Sequence, residues 1–212
     1  MTHDLGIVIV LSGFSGAGKG TIMKHLLEDY QDDYHLSISA TTRAPRVGEI
    51  DGREYFFKTK DEFETMIDQQ EFLEYACFNN NYYGTPKTYV EQLIHEGKDV
   101  ILDIDVQGAL QVNKIFPDAL LLFVTTPTAE ALKKRLVGRG TESETAIEQR
   151  LAISTKESFL MNQYDFLVIN DVLEECVKEV HAIIQSQHFC TNRNKNKIKD
   201  MQNQLLIFAK GE

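Results

Sequence analysis

Apolar, β-rich runs recur at residues 6–12, 99–104, 119–125 and 165–169, and the segments between them carry apolar residues at helical spacing. This alternation predicts parallel strands joined by crossover helices, an α/β fold with a doubly wound sheet, helices on both faces and ligands at the strand C-ends. Between the first two runs the texture changes. Short strand-like pieces stand at 34–39, 54–58 and 72–78, and Phe63, Met66 and Ile67 mark a helix near 60–70, so a small α+β insertion is expected there. Thr85-Pro86 starts a further helix with apolar face Val90, Leu93 and Ile94 and stop Gly97, which returns the chain to the main sheet. The stretch from Thr191 to Lys199 is rich in Asn and Lys and predicts a frayed extension.

The first apolar run ends in Gly13-Phe14-Ser15-Gly16-Ala17-Gly18-Lys19-Gly20-Thr21. A strand that enters a glycine-rich turn and then a helix leaves several backbone N–H groups aimed into one concavity, with the positive end of the helix dipole behind them. That is a phosphate cradle, and Lys19 adds a mobile charge for the terminal phosphates. The strict pattern places Ser or Thr directly after the lysine to hold Mg²⁺; here Gly20 stands there and the hydroxyl comes one place later, at Thr21.

Composition narrows the function classes. A chain of 212 residues with 42% apolar content suits one α/β domain with a sizeable core. Its formal charge of -10 argues against nucleic acid as a partner held on a general basic surface, so phosphate binding must come from local clusters. Cys77, Cys176 and Cys190 lack metal-ligand spacing and read as reduced thiols. No window reaches the apolar length of a membrane span and Met1-Thr2-His3-Asp4 does not open a signal peptide, so a soluble, cytoplasmic protein is expected.

Three further clusters carry chemistry. Arg43 and Arg46 flank Pro45 on a loop and can converge on one anion, with Tyr55 as a hydroxyl donor; taken alone, the stretch reads as a solvated basic loop. The strand ending Asp103-Ile104-Asp105 carries two carboxylates two residues apart, expected on one face at the sheet edge, with Asp103 placed to orient Mg²⁺ through water. An acidic strand end can equally be a turn former or helix cap. Arg135 and Arg139, the latter between Gly138 and Gly140, and Arg150 suit a movable lid, because phosphoryl transfer asks chiefly for positioned cations. No His, Cys or Ser arrangement suggests a covalent intermediate.

From about Gly6 to Gln187 the chain resembles guanylate kinase, on Thr-Thr-Arg-x-Pro-Arg-x-Gly-Glu, Tyr-Tyr-Gly-Thr, Ile-Leu-Asp-Ile-Asp-x-Gln-Gly and Arg-Leu-x-x-Arg-Gly. The resemblance implies a Mg²⁺-dependent kinase with ATP and GMP, and also dGMP, as substrates. It implies an ATP site at Gly13, Ser15, Gly16, Ala17, Gly18, Lys19, Gly20, Thr21, Arg135 and Arg139, with Arg150 reaching the transferring group. The GMP phosphate then falls to Arg43, Arg46, Tyr55 and Tyr83, and Glu49 and Gly84 are also implied as GMP-binding residues. Glu74 accepts from the guanine N1–H and N2 amino groups, Ser39 and Thr85 present hydroxyls to the base, and Asp105 orders contacts on the GMP side. The catalytic set is Lys19, Arg43, Arg135, Arg139 and Arg150, and the metal ligands are Thr21 and Asp103. The chemistry of guanine agrees, since a carboxylate and a hydroxyl complement its donors and O6 acceptor. Alone, Glu74 reads as an exposed carboxylate on an edge strand.

The chain then divides into a core (1–36, 98–137 and 156–190), a GMP-binding insertion (37–97), a lid (138–155) and a C-terminal extension (191–212). Two alternatives stay open: a non-catalytic module that binds a protein partner, and a kinase for another nucleoside monophosphate. The first should lack lid arginines or part of the phosphate loop, and the second does not need the pairing of Glu74 with Thr85.

Overall fold

Both faces of the central strands are apolar, and such strands can be buried only by helices on both sides of a sheet. The structure, a computed structural model, describes residues 5–138 and 143–209. The chain begins β1 (Val8–Gly13), α1 (Lys19–Asp29), β2 (Tyr34–Leu36), β3 (Ala40–Thr41), β4 (Phe56–Phe57) and α2 (Lys60–Asp68). It continues β5 (Phe72–Phe78), β6 (Asn81–Pro86), α3 (Lys87–His95), β7 (Asp99–Asp103), α4 (Val106–Ile115) and β8 (Leu120–Thr125). Last come α5 (Ala129–Gly138), α6 (Glu144–Ser158), a short 3₁₀ turn, β9 (Phe166–Ile169), α7 (Leu173–Gln187) and α8 (Lys195–Ala209).

The main sheet has the order β2-β7-β1-β8-β9 and every pairing in it is parallel. Side chains alternate along β1. Ile9 and Leu11 join the core with Ile22 and Leu26 of α1 and Val177, Val180 and Ile184 of α7. Val8 and Val10 meet Val90 and Leu93 of α3 and Ala109 and Val112 of α4 on the opposite face. The α/β architecture with a parallel central sheet is therefore as the periodicity predicts. Among the described residues no helix is long and apolar enough to cross a membrane.

The second sheet, of order β4-β3-β6-β5, has its own small core. Fully buried Phe63 of α2 stacks on Phe72 at 4.3 Å and on Tyr82 at 5.2 Å between ring centroids. Thr59 opens α2 with a capping box to Glu62, which satisfies two amides left over at the helix start.

Three local expectations change. The piece at 34–39 is not one strand of the insertion: Tyr34–Leu36 pairs with β7 in the main sheet, because the Tyr34 ring is buried against α1 and α7, while the second sheet starts at Ala40. The segment 191–199 is not frayed throughout, since α8 begins at Lys195. The lid boundary expected at residue 155 falls inside α6, which runs unbroken to Ser158.

Replacing Phe63 by Ala is expected to cost about 3–5 kcal/mol, because the emptied space lies between two stacked rings that cannot both collapse into it. Urea denaturation of the two proteins measures this.

Candidate active site

The β1–α1 turn has the backbone that an anion cradle requires. Gly18, the residue preceding α1, has φ +94°, and a Cβ there would lie 2.3 Å from Asn170 Nδ2. Gly13 has φ +151°, and a Cβ would meet the Val124 carbonyl oxygen at 2.1 Å. Both positions exclude side chains for conformational and spatial reasons together. Lys19 Nζ sits 2.6 Å from Asp103 Oδ1 and donates to the Ile104 carbonyl at 3.3 Å, which fastens the first turn of α1 to the end of β7. Gly20 faces open space, with nothing within 4 Å of a Cβ, and Thr21 is exposed in the same turn.

Two of the arginines expected on a lid also reach this loop. Arg135 Nη1 donates to the Ala17 carbonyl at 3.1 Å and Nη2 to the Asn170 carbonyl at 2.7 Å, while Arg150 Nη1 donates to Ser15 Oγ. They come from α5 and α6, which pack through Leu132, Leu136 and Ile147. Arg139 lies outside the described residues.

Asp105 corrects one expectation. The strand ends at Asp103, so the two carboxylates do not share a strand face; Asp105 instead caps α4, its Oδ1 accepting from the Gly108 N–H at 2.8 Å. The cap satisfies a helix-end amide, which fixes where α4 starts. Ser12 Oγ donates to the Ile104 carbonyl at 2.9 Å and holds the turn between strand and helix.

Glu74 is the second correction, since it is a buried residue rather than an exposed edge carboxylate, with 7% of its surface accessible. Thr85, across the β5–β6 pair, donates from Oγ1 to Glu74 Oε1 at 2.7 Å. A Cβ at Gly108 would come to 3.0 Å from Glu74 Oε2, so α4 closes over the carboxyl. Burial pushes the Glu74 carboxyl up to about 7; the Thr85 hydrogen bond opposes this and the negative charge of Asp105 adds to it. Ser39 precedes the short ladder in which Ala40 faces Gly84 and Thr41 faces Tyr83, at the end nearer Thr85.

The arginine loop is organised rather than loose. Arg43 makes a two-pronged bond to Glu49, Nη1 to Oε2 at 3.0 Å and Nη2 to Oε1 at 2.9 Å, and donates from Nη1 to the Ala44 carbonyl at 2.8 Å. The pairing raises the Arg43 pKa and lowers that of Glu49, whose carboxylate also accepts from the Arg46 N–H at 2.7 Å. The Arg43 guanidinium lies 5.3 Å from the Tyr55 ring centre, and the Tyr55 and Tyr83 rings are 6.1 Å apart. Arg46 is exposed. Thr41 and Thr42 bind the loop to β6: Thr41 Oγ1 donates to the Tyr82 carbonyl at 2.9 Å, and Thr42 Oγ1 accepts from the Tyr82 N–H at 2.9 Å.

Three residues of this site were not singled out by the sequence. Gly108 stands in a quoted motif but shows its purpose only against Glu74. Asn170 follows β9 and donates from Nδ2 to the Ala17 carbonyl at 2.8 Å; the rule that ligands gather at strand C-ends could have flagged it. Glu157 of α6 is a half-buried carboxyl raised by burial, with Asp105 adding and Lys19 opposing, and nothing in its spacing marks it. A cavity of about 680 Å³ lies elsewhere, behind Phe14 among α5, α6 and the end of β8.

The arrangement thus joins a phosphate cradle to a buried carboxyl–hydroxyl pair through the segment Asp103 to Gly108. The guanylate kinase family model matches residues 6–187. The chain is 47% identical over 190 residues to guanylate kinase of Streptococcus pneumoniae (strain ATCC BAA-255 / R6), covering 90% of this chain and 91% of that one. Its fold is similar to the crystal structure of guanylate kinase from Anaplasma phagocytophilum, with a TM-score of 0.68 at 27% identity over 90% of each chain. The phosphate loop, the arginine loop and the Glu74 pocket therefore stand in a chain that belongs to the guanylate kinase family, the ATP:GMP phosphotransferases.

Proposed function

We propose that this chain moves the γ-phosphoryl group of ATP directly and in line to the phosphate of GMP, and of dGMP, giving ADP and GDP. The observation that carries the reading is the buried Glu74–Thr85 pair, a polar site tied by α4 to the strand end that holds Lys19. The ionised Glu74 accepts from guanine N1–H and N2, and the hydroxyls of Ser39 and Thr85 face the base. Arg43, Arg46, Tyr55 and Tyr83 hold the GMP phosphate. Glu49 orients Arg43 rather than touching the nucleotide, because a carboxylate beside a phosphate repels it.

On the donor side, the amides from Gly13 to Thr21 and the Lys19 ammonium hold the ATP phosphates. Arg135, Arg139 and Arg150 stabilise the charge that spreads over the transferring group. The acceptor oxygen of GMP forms the new P–O bond as the bond to the ADP oxygen breaks, so no protein nucleophile is needed. The insertion (37–97) and the lid (138–155) close over the core to exclude water, which would otherwise compete as acceptor.

Thr21 and Asp103 would hold Mg²⁺, in part through water. The fit is good: both are oxygen donors, Thr21 is exposed, and the open space at Gly20 leaves room for the waters that this ion keeps. Held there, the ion would supply positive charge to offset that of the phosphates. The free thiols Cys77, Cys176 and Cys190 suit a reducing, cytoplasmic setting, and the conversion of GMP to GDP is a step of purine nucleotide metabolism.

In a coupled ADP assay, kcat/KM with AMP is expected to fall roughly 10⁴-fold below that with GMP, since AMP leaves Glu74 unpaired; equal turnover would refute the base assignment. Lys19→Ala should lower kcat roughly 10²–10³-fold. Arg43→Ala should raise the KM for GMP by roughly 10- to 100-fold with little change for ATP, and the reverse pattern in titrations counts against the loop assignment.

The raised Glu74 pKa has two consequences with opposite signs. Guanine needs the carboxylate, so the KM for GMP should fall as pH rises from about 6 to about 8. Stability moves the other way. The group ionises near 4.5 when unfolded and at about 7 when folded, so its favourable contribution is complete below the first value and lost as pH rises through the second. Glu74→Gln should therefore be more stable than the parent by roughly 3 kcal/mol above neutrality, with the gap closing in acid, as followed by urea unfolding across pH.

A further inference from the structure

The longest exposed apolar seam among the described residues is on α8. Every residue from Lys195 to Phe208 is exposed, whereas α1, α3, α4 and α7 each bury an apolar face. The root of α8 is nonetheless fixed. Arg193 Nη2 donates to the Asp118 carbonyl, and Asn194 Nδ2 donates to the carbonyls of His188 at 2.8 Å and Cys190 at 2.9 Å. The helix thus leaves the body at a defined point, beyond the family-matched residues 6–187.

Ile198, Met201, Leu205 and Phe208 are 39%, 56%, 58% and 79% exposed. Their spacing of three, four and three residues is that of the a and d positions of a coiled coil. The same spacing reads identically in either direction about residue 203. A seam with that symmetry is complementary to itself under a two-fold axis: antiparallel alignment sets Ile198 opposite Phe208 and Met201 opposite Leu205 in both copies.

Charge selects the same arrangement. Lys195, Lys197 and Lys199 crowd the first turns of α8, so a parallel pair would bring six ammonium groups together. An antiparallel pair sets them beside the partner's helix C-terminus, where the dipole favours cations. Their alkyl stems can then cover Leu206 and Ile207, which are 56% and 72% exposed at that end.

We propose that α8 is a self-association surface and that its occupant is the α8 of a second copy of this chain, paired antiparallel. Fifteen residues span about 22 Å, and four apolar layers bury less than the roughly 1,200 Å² of a standard stable interface. The dimer is accordingly reversible and concentration-dependent.

Sedimentation velocity on the full chain over a wide concentration range tests this. The expected mass rises from that of one 24.2 kDa chain toward two. Met201→Lys and Leu205→Glu should each hold the protein as single chains with unchanged GMP kinase activity. The double variant should recover association, because the antiparallel register sets each new lysine against a new glutamate. A single-chain mass at every concentration, association untouched by the single variants, or no recovery in the double would each overturn the proposal. So would binding of the full chain to phosphatidylglycerol vesicles without any self-association, which would assign the seam to a lipid surface.

Discussion

A carboxyl group can remain buried only where its surroundings satisfy it in at least one protonation state, and the way Glu74 meets that condition organises the rest of this molecule. Thr85 supplies a hydrogen bond from the neighbouring strand, and Gly108 lets α4 close within contact distance of the second oxygen. That closure requires α4 to begin where it does, which the Asp105 cap ensures. Two residues earlier, Asp103 holds Lys19 at the mouth of the phosphate loop. Six consecutive residues therefore set the positions of Glu74 and Lys19 relative to one another. A shift of α4 would disturb both.

The cations around the loop share a second feature: each already has a partner suited to its fork or ammonium. Arg135 lies on backbone carbonyls, Arg150 reaches Ser15, and Lys19 meets Asp103. Groups held this way lose little side-chain freedom when an anion arrives, and pre-set donors are what stabilise developing charge most effectively.

Much of this was legible in the residues because it rests on local rules. The parallel strands followed from two-sided apolar runs, the phosphate loop from glycine spacing, and the stop of α3 at Gly97 from its left-handed backbone, φ +81°. What escaped was set by packing between distant segments. No local pattern shows that Tyr34 anchors its strand to the main sheet, or that Glu74 lies beneath Gly108, some thirty residues downstream. Strand β6 was hidden by its mixed composition, although Asn79 and Asn80, both at positive φ, are a hairpin signal that marks its start. In α8 the Asn- and Lys-rich beginning masked an apolar seam that becomes visible only when the residues are wound on a helix.

The grip of Glu49 on Arg43 bears on which visitors the acceptor pocket admits. At rest the Arg43 guanidinium is neutralised by its neighbour, so a passing sulfate or free inorganic phosphate must break an internal clasp to reach it. A nucleotide can offset that rupture with the purine contacts it makes elsewhere. The clasp thus sets a threshold that an anion reaching Arg43 has to overcome.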